Sequence, residues 1–339
     1  MPFTLGGVGL ALMLIAGLPI VAHSDDLGDE IVYEKRLRLP SRTDAFGDPR
    51  AVVADRVTGE IFVVDSRYHR IGIFDADGFF RYLVQGGDAW ATPVDVAVDS
   101  EGYLLVLARR TPDLKPGDLQ ANGERGLLWL DFDGRPLAAV SLAPLPEDRR
   151  PPSYHSVALS DDDQRLFLLD DANNHLLMAN REGEVLGAVN IADDADAEEA
   201  REVILGRVDV FGDRVLVPRG TLGDVYLYDL DGNLVQRVGR RGTAPCQTAL
   251  PVAAAWAGNN RLVILDRQRM VFMIWDVAAN RCLSEHSGIG AAPGYVYQPS
   301  DMTRDAAGRI YISQGYQGRV QVFGAAGVSA PKGPSDWSP

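Results

Sequence analysis

From Pro49 onward the chain alternates short apolar runs with polar turns. Pro49-Arg-Ala-Val-Val-Ala-Asp55 is followed by Gly59-Glu-Ile-Phe-Val-Val-Asp65, then by Arg70-Ile-Gly-Ile-Phe-Asp75 and the turn Asp77-Gly78. Runs this short, rich in β-branched and aromatic residues and bounded by Gly and Asp, predict strands rather than helices. The same order returns at Pro93-Val-Asp-Val-Ala-Val-Asp99 with Gly102-Tyr-Leu-Leu-Val-Leu107, and at His155-Ser-Val-Ala-Leu159 with Arg165-Leu-Phe-Leu-Leu-Asp170. Three further copies have Arg214-Val-Leu-Val-Pro218, Arg261-Leu-Val-Ile-Leu-Asp266 and Gly308-Arg-Ile-Tyr-Ile-Ser313 as their second strand.

With Pro49, Pro93, Tyr154, Arg207, Pro251 and Pro299 taken as equivalent, successive copies start 44, 61, 53, 44 and 48 residues apart. Four short strands at this period predict an array of antiparallel blades. A lone twisted four-stranded sheet leaves both faces in water, whereas six in a ring cover one another and shield most edges. The expected fold class is all-β, a six-bladed β-propeller over residues 25–323. The sixth copy stops after its third strand, at Phe323. Ile31-Val-Tyr-Glu-Lys-Arg-Leu-Arg-Leu39 is free to supply the fourth and to close the ring without a covalent link. Residues 324–339, rich in Gly, Ala, Ser and Pro, read as a disordered tail.

The repeat resembles the NHL repeat: a Pro before the first strand, Asp closing the second, Arg-Ile or Arg-Val opening the third, then Phe-Asp. Asp65-Ser-Arg-Tyr-His-Arg-Ile-Gly-Ile-Phe-Asp75 carries the likeness best, followed by Gln314-Gly-Tyr-Gln-Gly-Arg-Val-Gln-Val-Phe323. That resemblance implies a six-bladed ring. It leaves the activity open, since the family includes protein-binding modules, extracellular sensor domains and a few enzymes such as amidating lyases. Those lyases place several histidines on one face. Here only His155 stands at a comparable blade entrance.

Residues 5–22 carry no charge, and Ala22-His23-Ser24 sets small residues at the −3 and −1 positions of a cut before Asp25. Residues 1–24 therefore read as a secretory signal peptide, with an uncleaved anchor as the alternative. No later segment is long and apolar enough to span a membrane. The mature protein is expected to be periplasmic or secreted. In such a compartment Cys246 and Cys282 are either bridged or two thiols. The topology sets them at opposite ends of a blade, about a strand length of 17 Å apart, so a bridge requires the 241–250 loop to descend along the blade edge.

The charge balance narrows the function further. Asp plus Glu number 47 and Lys plus Arg 33 in 339 residues, a net −14. This argues against nucleic acid as a partner, which needs a basic surface. Two cysteines exclude a disulfide scaffold, a Cys-rich zinc module and an iron–sulfur protein. No Gly-rich phosphate loop or Gly-x-Ser-x-Gly elbow occurs.

In the expected ring, one face carries the loops between second and third strands and the connections between blades. It gathers Arg67, Tyr68, His69, Arg109, Arg110, Arg219, Arg267, Arg269 and Tyr316, with Arg240 and Arg241 nearby. Guanidinium groups there suit carboxylate or phosphate. Arg70 and Arg319 read instead as repeat residues that pair with Asp in the next blade. The favoured role is binding, of a protein partner or an anionic ligand, without a required cofactor. A second constellation is Asp95, Asp209 and Asp301, each two places past the opening position of alternate blades. Three carboxylates about the axis would hold a divalent cation such as Ca²⁺, and then a metal-dependent lactonase or lyase is the alternative function. The structural reading of the same aspartates is that they accept backbone N–H groups from a neighbour. The long loop 109–126 is a candidate functional insertion, and the acidic segment 193–202 reads as a solvated linker, with a short acidic helix that offsets or guards the arginine face as the alternative.

Overall fold

The computed structural model describes residues 31–40, 45–86, 90, 92–109, 125–145 and 150–325. The expected signal peptide, Arg110, most of the 109–126 loop and residues 326–339 lie outside the described residues. The described chain forms six four-stranded antiparallel sheets, a six-bladed β-propeller. The innermost strands are Pro49–Ala54, Thr92–Val98, Tyr154–Leu159, Asp209–Phe211, Pro251–Trp256 and Asp301–Arg304, for blades 1 to 6 in turn. The acidic linker contributes a single 3₁₀ turn, Glu199–Arg201.

Each blade meanders outward through turns that the sequence specifies locally. Asp75 is typical: its carboxylate accepts the N–H groups of Asp77 and Phe79 at 3.1 and 2.9 Å, while Gly78 takes φ +76° and donates to the Asp75 carbonyl. Only a residue without a Cβ adopts that φ freely.

The apolar residues form six buried layers, one at each junction between blades. The layer between blades 1 and 2 holds Ile71, Val96, Val106 and Trp90. The layer that closes the ring holds Val52, Ile61 and Phe74 of blade 1 against Tyr311, Val320 and Val322 of blade 6. The middle strands of each sheet are therefore covered on both faces, which explains strands such as Ile61–Asp65 that are buried at every position.

Ring closure follows the expected route. Ile31–Arg36 pairs antiparallel with Arg319–Ala325, with Tyr33 opposite Phe323 and Arg36 opposite Gln321. Leu37 N–H continues the seam to the Val320 carbonyl at 3.0 Å. The blade runs two residues past Phe323, because Gly324 and Ala325 pair with Val32 and Ile31.

Cys246 and Cys282 form a disulfide, with 5.6 Å between their Cα atoms. The bridge forms by the route it requires, the loop descending along the blade edge, so the expected strand-length separation does not hold. The 239–250 loop folds back on the blade's outer strand: Arg241 bridges to Thr248, and Cys246 N–H donates to Glu285 at 2.9 Å.

Candidate functional site

The inner edge of each blade faces the axis and exposes backbone groups that no strand pairs. Side chains of the preceding blade satisfy several of them. Asp301 accepts Val52 N–H at 2.9 Å, Asp95 accepts Val157 N–H at 2.8 Å, and Ser156 accepts Val208 N–H at 3.0 Å. Burying these donors without a partner would cost roughly 1–3 kcal/mol each.

This stitching fixes which residues are equivalent. The residue before each donating N–H is Ala51, Ser156 and, in blade 4, Arg207. Blade 4 therefore presents Arg207, not Asp209, at the level of Asp95 and Asp301. The aligned starting position was two residues out because blade 4 has no opening Pro. Arg207 crosses the channel, contacting Asp95 and standing 2.9 Å from Asp301. All three side chains are close to fully buried, Arg207 at 11% exposure. Burial pushes the Asp301 carboxyl up to about 6, against the pull of Arg207. A guanidinium thus stands between two of the three carboxylates offered as cation ligands. Asp209 lies further along the channel, 3.4 Å from Arg56. Among the described residues no three His, Cys, Asp or Glu side chains gather as a metal site. His155 lies 2.7 Å from the Gly206 carbonyl and 2.9 Å from Asp171.

The upper face, which carries the blade connections, divides the expected arginines into two groups. Arg219 is 1% exposed, gripped by Asp224 and Asp194 and stacked over Tyr226 at 3.4 Å from the ring centroid. It occupies the strand-end position of Asp65, and Asp224 that of Arg70, so the charges of the repeat pair are exchanged. Arg269 is similarly enclosed, held by Glu285 and the Gln247 carbonyl. Arg241 pairs with Glu199 at 2.7 Å. The acidic linker is therefore partner to this arginine cluster through Asp194 and Glu199, not a purely solvated segment. Arg70 and Arg319 pair within their own blades, with Asp65 and Gln314, rather than with the next.

The second group remains open. Arg67, Tyr68, His69, Arg109, Arg267 and Tyr316 are exposed. His69 and Thr92 are joined by a 3.1 Å hydrogen bond. Arg267 and Tyr316 line a cleft of 260 Å³ with Asp48, Tyr297, Gln298, Ser300 and Gly315. Tyr297 and Tyr316 pack with centroids 5.4 Å apart. Arg67 and Tyr68 adjoin this cleft by packing on Gly47, where an added Cβ would lie 2.8 Å from each. Tyr68 also lies 4.9 Å from the Arg70 guanidinium. Neither Arg67 nor Arg267 forms an ion pair with a described residue. Asp48 and Tyr297 were not expected from sequence. The signal for them was their place in the connections leading to Pro49 and Pro299.

No protein-family model matches this chain, and no curated protein matches it. Among solved structures, it is similar to a protein of unknown function from Bacteroides caccae, with 16% identity, a TM-score of 0.53, and coverage of 76% of this chain and 84% of the other. At that identity the likeness concerns architecture alone, and the architecture is a six-bladed β-propeller.

Proposed function

We propose that this chain is an exported, NHL-type propeller that serves as a binding module for a protein partner or an anionic ligand. The observation that carries the reading is the cleft between blades 5, 6 and 1. Arg267 lines it with Tyr316, which is 79% exposed, and Arg67 adjoins it with Tyr68, 52% exposed. Exposed Arg and Tyr on a rigid frame are the residues that dominate protein interfaces, and unpaired guanidinium groups favour carboxylate. Asp48 in the same cleft selects an anion that also brings a hydrogen-bond donor. The Asp65–Arg70 pair, 3.1 Å apart, supports the NHL likeness. The Cys246–Cys282 bridge supports an oxidising compartment.

The test uses the mature protein against an array of acidic peptides and small carboxylates. Binding should weaken with added salt, and the R67S/R267S double variant should lose tenfold or more in affinity. Equal and salt-insensitive binding by parent and variant overturns the reading.

A further inference from the structure

Past Arg207 the channel widens into a cavity of 380 Å³ that opens among the turns joining first and second strands, on the face opposite the cleft. Its floor is Arg207, already committed to Asp95 and Asp301. Two residues further along each inner strand come Val53, Ala97, Ala158, Ala255 and Thr303 from five blades and Asp209 from blade 4. Asp209 is the one carboxylate on a ring otherwise built of Ala, Val and Thr. The mouth is flanked by Phe211 and Trp256.

The chain supplies its own stand-in for a guest. Arg56, on an exposed turn, reaches over this mouth with its guanidinium carbon 5.3 Å from the centre of the Phe211 ring. It contacts Asp161 and stands 3.4 Å from Asp209. The 3.4 Å contact is long, and both Arg56 and Asp209 are more than a third exposed, so this pair is weakly held. Aspartates outnumber arginines in the cavity lining by eight to three, the opposite sign to what the upper cleft offers. A net negative lining, a small-residue bore with Asp209 as its one carboxylate, and an aromatic wall suit a positive charge on a short apolar stem.

We infer that this cavity is a second binding site, for a small organic cation of the alkylguanidinium or alkylammonium class, whose charge takes the place Arg56 holds against Asp209.

The experiment is calorimetric titration of the mature protein with n-butylguanidinium, with n-butylurea as the uncharged isostere. The R56A variant should bind the guanidinium at least tenfold more tightly than the parent and bind the urea no better. Adding D209N to R56A should remove that gain. R56Q, which keeps the side-chain bulk, serves as a second vacated form if R56A does not give a cooperative unfolding transition. The inference is overturned if both vacated forms bind no better than the parent, if urea and guanidinium bind alike, or if D209N leaves the affinity intact.

Discussion

Arg207 Nε stands 2.9 Å from Asp301 Oδ2, tying blade 4 to blade 6 across the axis of the ring. The same guanidinium contacts Asp95 of blade 2. Three alternate blades thus converge on one buried charge cluster. Removing its centre leaves two buried carboxylates facing each other, which costs about 3–5 kcal/mol by analogy with other broken buried pairs. R207M should lose stability on that scale in urea denaturation. D95N/R207M/D301N, neutral throughout, should recover most of it. A loss below about 0.5 kcal/mol for R207M, the range of an ordinary surface change, would show that the cluster does not brace the ring.

The seam between the chain's ends should be indispensable. Ile31–Arg36 covers the outer edge of Arg319–Ala325 and leads Leu37 and Leu39 into the layer between blades 6 and 1. A protein beginning at Phe46 exposes that edge, and exposed edges recruit other chains. It should elute as aggregates in size-exclusion chromatography, whereas a protein beginning at Asp25 should be monodisperse and unfold cooperatively.

The disulfide closes a loop of 36 residues. The loop-entropy relation puts its contribution at about 3–4 kcal/mol. C246S/C282S should unfold at correspondingly lower urea concentration than the parent. Thiol titration of the unreduced, denatured parent should find no free thiol, and two free thiols would refute the bridge.

Acid should weaken the Arg219 cluster in a defined window. The hydrogen bond from Arg219, with help from Tyr226, holds the Asp194 carboxyl at about 2. An ordinary unfolded Asp titrates near 3.9, so the folded state is the stronger acid. Asp194 then adds stability above about pH 4 that is lost as pH falls through about 2. D194N should be less stable than the parent at neutral pH, the difference closing between pH 4 and 2. A pH-independent difference would mean that the carboxylate charge is not what matters.

Gly315 offers a test of the upper cleft that leaves its charges in place. A Cβ there would meet Asp48 Oδ1 at 2.2 Å and Ser300 Oγ at 3.1 Å. Gly315→Ala should displace Asp48 within the cleft and weaken any ligand seated there by roughly fivefold or more. The variant's melting temperature, measured alongside, should shift far less than that of R207M.

The blades were legible because their evidence is local. Apolar runs, Asp-anchored turns and the Asp65–Arg70 pair all lie within a few residues of one another, and each repeats. The partner of the last strand was legible too, since a sixth blade one strand short must be completed by the apolar segment left over, Ile31–Leu39. The state of individual charges was not. Arg219 looks like any loop arginine until Asp194, 25 residues away, is brought against it. Arg269 is likewise enclosed by Glu285, 16 residues on.

The axis shows the same division most sharply. Short strands at a period near 50 residues demand a closed ring, since only mutual packing covers the middle strands of every blade on both faces, and this much follows from the order of residues. Which residues meet at the centre depends on register between blades, where an offset of two positions exchanges Arg207 for Asp209. A site imagined as three carboxylates around a metal ion is in fact two carboxylates around a guanidinium. Such an offset leaves the hydrophobic alternation unchanged, because side chains repeat every second residue along a strand. Only the folded ring, with its hydrogen bonds from one blade to the next, decides it.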